Sequence, residues 1–275
     1  MACVGFVSRH LDRDSALPHY RDLLLKKALD DLSDDPDVLA IYLGGSLAKN
    51  NFDFYSDVDL HTIVTPERKK AFVKEKRNRA KKWGDVLFYE DSNPMSPAVV
   101  AHYDSFVKVD SWYHSPEEMV SSIWLKDMAV LYDPHHIIGP VIKESSKLVY
   151  HPLPEDVEFW RSKLLAFIHE TYRAVMREEL YYALSHLDRI RWLMVSGWYM
   201  EMEELLDCSY GVWSKLEGKR SKLKDGQLSF LKSWDCSRDS SDIMNTMLKM
   251  IPEFLRLNKN LSRQLGMEED EELIK

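Results

Sequence analysis

Residues 41–64 read IYLGGSLAKNNFDFYSDVDLHTIV. The apolar run VLAIYL (38–43) has the length and character of a buried strand and is broken by Gly44-Gly45. A polar stretch follows, and then a second apolar run, 57–64, that contains Asp57 and Asp59. Carboxylates seldom enter such runs without compensation. On a strand, alternate side chains share a face, so Asp57 and Asp59 project together while Val58 and Leu60 face the other way. Two carboxylates so close repel unless cations lie between them, and hard oxygen ligands suit Mg²⁺. The alternative is a pair that caps backbone near a turn. Upstream, Gly44-Gly45 lets the backbone approach an anion closely, and the Ser46 hydroxyl can add a hydrogen bond. A third carboxylate, Asp110 in KVDSWY (108–113), lies in another strand-like run and would complete a two-metal cage.

Composition narrows the setting. The chain has 275 residues, 45% of them hydrophobic and 30% charged, which suits a globular protein of one large or two ordinary domains. A formal charge of −8 argues against a nucleic-acid-binding body and is compatible with a cationic small molecule. Cys3, Cys208 and Cys236 show no metal-ligand spacing and cannot all pair, so a reduced, cytoplasmic setting is expected. No apolar stretch is long enough to span a membrane, and the first residues lack the apolar core of a signal peptide.

Along the chain, a helix is expected over 20–32, strands over 38–43 and 57–64, and a short helix near Leu47. A basic surface helix follows Pro66 and stops at Gly84. Further strands are expected at 86–89, 105–113 and 129–132, with a helix starting at Pro116. In the 105–113 strand, Phe106, Lys108 and Asp110 would share a face, with Val107 and Val109 in the core. After Tyr150 the texture changes. HPLPED (151–156) reads as a linker and helix cap, apolar residues then recur at threes and fours to about Tyr199, and further helices follow Leu223 and Ser240. The end, 268–273, reads as a frayed acidic tail. The expected fold class is therefore α+β, a mixed sheet with flanking helices (1–150) followed by a helical bundle (151–275), with a cleft between them as the site.

The residues Gly44-Gly45-Ser46, then Ser56-Asp57-Val58-Asp59-Leu60, resemble the Gly-Ser and paired-aspartate signature of the nucleotidyltransferase superfamily. Within it, the chain is most similar to antibiotic adenylyltransferases, above all the aminoglycoside 6-adenylyltransferase group. VKVDSWY, AVLYDP and the run from FWRSKL to LMVSGW carry that second likeness. The resemblance implies a nucleotidyltransferase domain (1–150) and a helical substrate-binding domain (151–275). It implies transfer of AMP from ATP to a hydroxyl of a small molecule, with an aminoglycoside as the candidate acceptor, by a two-metal mechanism. It makes Asp57, Asp59 and Asp110 the metal ligands and catalytic residues, with Asp110 as ligand, as base for the acceptor hydroxyl, or as both, and Gly45 and Ser46 the nucleotide contacts. Lys49 takes the place where many relatives carry arginine. A monomer or homodimer without nucleic-acid or membrane partners is expected.

Other residues weigh less. Asp85 and Glu90 are rival bases. Glu178 and Glu179 suit a helix start, with acceptor binding as the alternative. Arg189 and Arg191 read as salt-bridged on a helix face, and His135, His136 and His169 as ordinary histidines. Two rival functions stand beside the first: an enzyme that modifies a protein side chain, and a non-catalytic module that senses nucleotide.

Overall fold

The computed structural model describes residues 7–90 and 93–269. Helix α1 (Leu11–Ser33) is followed by strand β1 (Val38–Leu43), the short helix α2 (Gly45–Ala48), β2 (Val58–Val64) and α3 (Lys69–Trp83). Strands β3 (Val86–Tyr89), β4 (Ala98–Tyr103), β5 (Lys108–His114) and β6 (Ala129–Tyr132) complete the sheet, before the short helix α4 (Gly139–Ser145). The strand order is β3-β4-β5-β2-β1-β6, and β2 and β5 are the parallel pair in an otherwise antiparallel sheet. The contacts divide the chain into two compact units, Met1–Val149 and Tyr150–Lys275.

In the first unit, the sheet has two unlike faces. One packs on α1 and α3 through Leu17, Leu24, Phe72 and Trp83, which meet Val58, Leu60 and Val109 from the strands. The other carries the small apolar cluster of Ala40, Tyr42, Ile63 and Ile138 near β1, and the acidic residues near β5. Strand alternation produces this split, since Val58 and Leu60 are fully buried on one side and Asp57 and Asp59 only partly buried on the other.

Several local expectations change. α1 begins nine residues before Tyr20 and carries Pro18 inside it, beyond the first turn, where the missing N–H leaves one i→i−4 hydrogen bond unmade. The expected short helix starts at Gly45, not Leu47. β5 starts at Lys108, because Phe106 sits at φ +64° in a tight turn; its ring is exposed and stacked under Arg13 rather than aligned with Asp110. Pro116 opens only a single 3₁₀ turn, 116–118. Strand β4 was not expected at all, although AVVAHY has the alternating burial of a half-covered strand.

The basic face of α3 is not all solvated. Lys76 is 2% exposed, and its ammonium donates to the carbonyls of Asn93, Ser96 and Ala98 at 3.2, 2.9 and 2.8 Å. It ties the β3–β4 connection to the helix. Lys76→Met is expected to destabilise the protein by roughly 3 kcal/mol, because the three carbonyls that hold the buried ammonium lose a charged donor; urea unfolding of both proteins measures it.

The second unit holds α5 (Pro154–Met176), α6 (Leu180–Glu201), α7 (Asp225–Ser233) and α8 (Ser240–Leu265). Pro154 takes the first helical turn of α5, and the Leu153 N–H donates to the Asp156 carboxylate at 2.9 Å. The core is aromatic: Trp160 packs on Phe254, and Trp198 stacks on Trp234 with ring centres 5.6 Å apart. Arg161, buried in α5, binds Asn258 and Ser262 of α8 at 2.7 and 2.9 Å. The expected frayed tail is held at its beginning, since the Glu268 carbonyl accepts from Arg161 and the Glu269 carbonyl from Asn258; 270–273 lie outside the described residues.

Candidate active site

The parallel register of β2 and β5 builds the site. Val58 pairs with Val109 and Asp59 with Asp110, so the two valines enter the core together and the two aspartates emerge together on the opposite face. Asp57 is the residue before β2 rather than within it, and it joins the same face. Lys108, two residues before Asp110, places its ammonium 2.7 Å from Asp57 Oδ2 and 3.1 Å from Asp110 Oδ2.

This bridge sets the electrostatics. Burial disfavours the charge on Lys108, but the hydrogen bond it donates to Asp57 and the nearby carboxylates outweigh it and push the lysine above its ordinary range. Burial raises the Asp110 carboxyl, and Lys108 only partly offsets that. Asp110 Oδ1 is buried and has no hydrogen-bond partner. A half-buried carboxylate with one unsatisfied oxygen can accept a proton or a cation.

Gly45 explains the glycine pair. Its φ is +60°, which L side chains rarely adopt, and a Cβ there would lie 1.7 Å from Asp59 Oδ2. The first turn of α2 therefore lies against the Asp59 carboxylate, and the Gly44 N–H donates to the Asp59 carbonyl at 2.9 Å. Ser46 is 2% exposed in the same turn, and Lys49 follows its last residue. Ser56 acts through its loop: its hydroxyl donates to Asp53 and accepts the Asp53 N–H, while Arg21 holds the Asp53 carbonyl.

The rivals separate by position. Glu90 follows β3 and its N–H binds the Val100 carbonyl, one strand from Asp110, while its carboxylate pairs with His102. Asp85 is exposed at the other end of β3. Sequence reasoning missed two histidines on the acid face. His61 Nδ1 and His114 Nε2 lie 3.0 Å apart, and His61 stacks on Tyr42. Burial, with the His114 charge added, pushes His61 down to about 3, so it is neutral at physiological pH. Their signal was the two-residue step from Asp59 to His61 and the four-residue step from Asp110 to His114.

Arg189 and Arg191 do not form the expected surface ion pairs as their main contacts. Arg189 stacks on Tyr210, and Arg191 donates twice to the Trp234 carbonyl, at 3.0 and 2.5 Å. Glu179 precedes α6 without capping it through its side chain.

A protein-family model described as streptomycin adenylyltransferase matches residues 21–275. The chain belongs to the streptomycin adenylyltransferase family. It is an adenylyltransferase, in agreement with the resemblance carried by its Gly-Ser and paired-aspartate signature. Among solved structures, an aminoglycoside 6-adenyltransferase from Bacillus subtilis is 14% identical over 92% of this chain and 95% of that one, with a TM-score of 0.41. A nucleotidyltransferase-like protein from Exiguobacterium sibiricum is 11% identical over 87% of this chain and 76% of that one, with a TM-score of 0.44. A search of curated proteins found no match. Among the described residues, no helix is long and apolar enough to cross a membrane.

The family member's acid face is not a preformed metal cage. Among the described residues, no group of three or more His, Cys, Asp or Glu side chains is arranged to hold a metal ion. Lys108 supplies the positive charge between Asp57 and Asp110 instead.

Proposed function

We propose that this adenylyltransferase transfers AMP from ATP to a hydroxyl of a small, cationic acceptor of the aminoglycoside kind, with two Mg²⁺ ions bound at Asp57, Asp59 and Asp110. The observation that carries the reading is the registered pair Asp59 and Asp110 on adjacent parallel strands, with Asp57 beside them. The chemistry of the donor set suits the metal, since all three groups are hard carboxylates and Asp110 Oδ1 is a buried acceptor without a partner; gathering them round Mg²⁺ would require Lys108 to leave its bridge. When bound, Mg²⁺ neutralises phosphate charge and polarises the phosphorus under attack.

The remaining work falls to the chain itself. Asp57 and Asp59 would hold the nucleotide-bound metal. Asp110 takes the proton from the acceptor hydroxyl. The Lys108 ammonium leaves its bridge when the phosphates arrive and pairs with one of them. Gly45 lets the backbone of the turn approach the phosphates, with Ser46 and Lys49 beside it.

ATP labelled in its α-phosphate, Mg²⁺ and an aminoglycoside panel test this reading. Label on an aminoglycoside supports it. Label on protein would favour the protein-modifying alternative, and tight nucleotide binding without turnover the sensing module. Asp110→Asn is expected to slow single-turnover transfer by roughly 10²–10⁴-fold while ATP binding survives. Normal turnover by this variant would move the base to Glu90.

The same substitution has a stability signature in the metal-free protein. Because burial raises the folded pKa of Asp110, its contribution is present below the unfolded carboxylate range and is lost as pH rises through the folded value. Asp110→Asn is therefore expected to raise the thermal midpoint in chelator at pH 7, and the gain should shrink as pH falls into the carboxylate range.

A further inference from the structure

Within the helical unit, a cavity of ≈ 210 Å³ is lined by six aromatic side chains: Tyr150, Phe159, Trp160, Trp192, Tyr199 and Tyr210. The charged residues in its lining are Asp156 and Glu204, and no lysine or arginine lines it. Trp160, Trp192 and Tyr199 are 2%, 6% and 5% exposed, so packing holds these walls in place. Both indole N–H groups are committed inside the fold, Trp160 to the Leu193 carbonyl at 2.7 Å and Trp192 to the Val212 carbonyl at 2.9 Å. These side chains offer the cavity ring surface rather than donors.

The carboxylates complete the chemistry. Asp156 accepts the Leu153 N–H at one oxygen, and no basic side chain pairs with it among the described residues. Its charge reaches the cavity: the Tyr150 hydroxyl is pushed up first by burial and then by Asp156. Glu204 holds Lys222 at 2.6 Å in an exposed pair, of the kind that contributes little and exchanges readily. One wall already takes a cation, since the Arg189 guanidinium stacks over the Tyr210 ring at 5.3 Å. Aromatic faces with carboxylates favour a cation with an apolar skin over an anion or a neutral sugar, although Lys222 shares Glu204 and Arg189 shares the Tyr210 face.

We propose that this cavity binds a small organic cation, an alkylated ammonium or guanidinium group, between its aromatic walls and the carboxylates of Asp156 and Glu204. The inference stands on the cavity alone and requires neither ATP nor metal, so it can fail while the transfer reading holds, and the reverse.

Calorimetric titration of the nucleotide-free, full-length protein tests it, with choline as the probe and dimethylbutanol, its uncharged carbon isostere, as the control. Saturable choline binding at one site per chain is expected, with the isostere bound at least about tenfold more weakly. Asp156→Asn keeps an oxygen for the Leu153 N–H, and Glu204→Gln caps no helix. Each is expected to weaken choline binding by roughly three- to tenfold, with the thermal midpoint and circular dichroism unchanged. No saturable choline binding, equal binding of the isostere, or unchanged affinity in folded Glu204→Gln would each overturn the proposal.

Discussion

Asp59→Asn is expected to reduce AMP transfer by on the order of 10³-fold while leaving the protein folded. The side chain lies on the same face as Asp57 and Asp110, so its charge adds to a cluster that Lys108 only partly balances. Removing one negative charge relieves repulsion, and the amide keeps the shape of the carboxylate against Gly45. Stability should therefore hold or rise. Asp57→Asn should behave alike in transfer, but it also weakens the 2.7 Å contact to Lys108. Single-turnover transfer beside thermal melting separates chemistry from folding. Near wild-type turnover by either variant would end the two-metal reading, because neither amide replaces a charged ligand.

Gly45→Ala is expected to lower transfer by about 10²-fold, the cost of displacing a reacting group by an ångström or so. The argument is steric. A methyl group at Gly45 would stand 1.7 Å from Asp59 Oδ2 and 2.7 Å from its Cγ, closer than any real contact. Either the aspartate swings out of line with Asp110 or the turn moves away, and φ +60° adds strain in both cases. A double-mutant cycle makes the cause visible. Asp59→Ala removes the obstructing carboxylate, so Gly45→Ala should cost less stability in that background than in the wild type. Equal costs in both backgrounds would mean that backbone strain alone, not the carboxylate, requires glycine here.

Much of the fold was legible in the sequence. Apolar runs marked β1, β3 and β6 at their observed bounds, and periodicity marked α5, α6, α7 and α8, because both signals are local. The alternation Asp57-Val58-Asp59 disclosed which side chains share a face, since that follows from strand geometry alone. Misses began where distant residues decide the outcome. β4 was hidden because AVVAHY is short and weakly patterned, and it is stabilised by pairing on both edges with β3 and β5. Lys76 read as one basic residue among many on α3, since nothing nearby in sequence announces the three carbonyls that bury it.

The sequence by itself thus determined the kind of chemistry available: carboxylates at strand alternation, a glycine turn before them, and a third aspartate in a later apolar run. Only the tertiary structure decided how those parts meet. The parallel pairing of β2 with β5 sets Asp59 beside Asp110, and a shift of one residue would have sent one of them into the core. Lys108 became the bridge between Asp57 and Asp110 for the same reason, although in sequence it was only a lysine on the same strand face. Gly45 became indispensable when the Asp59 carboxylate filled the space its side chain would need. Strand periodicity is a property of the local backbone and can be read along the chain. Register, burial and charge balance depend on which strand lies alongside, and the folded sheet establishes that.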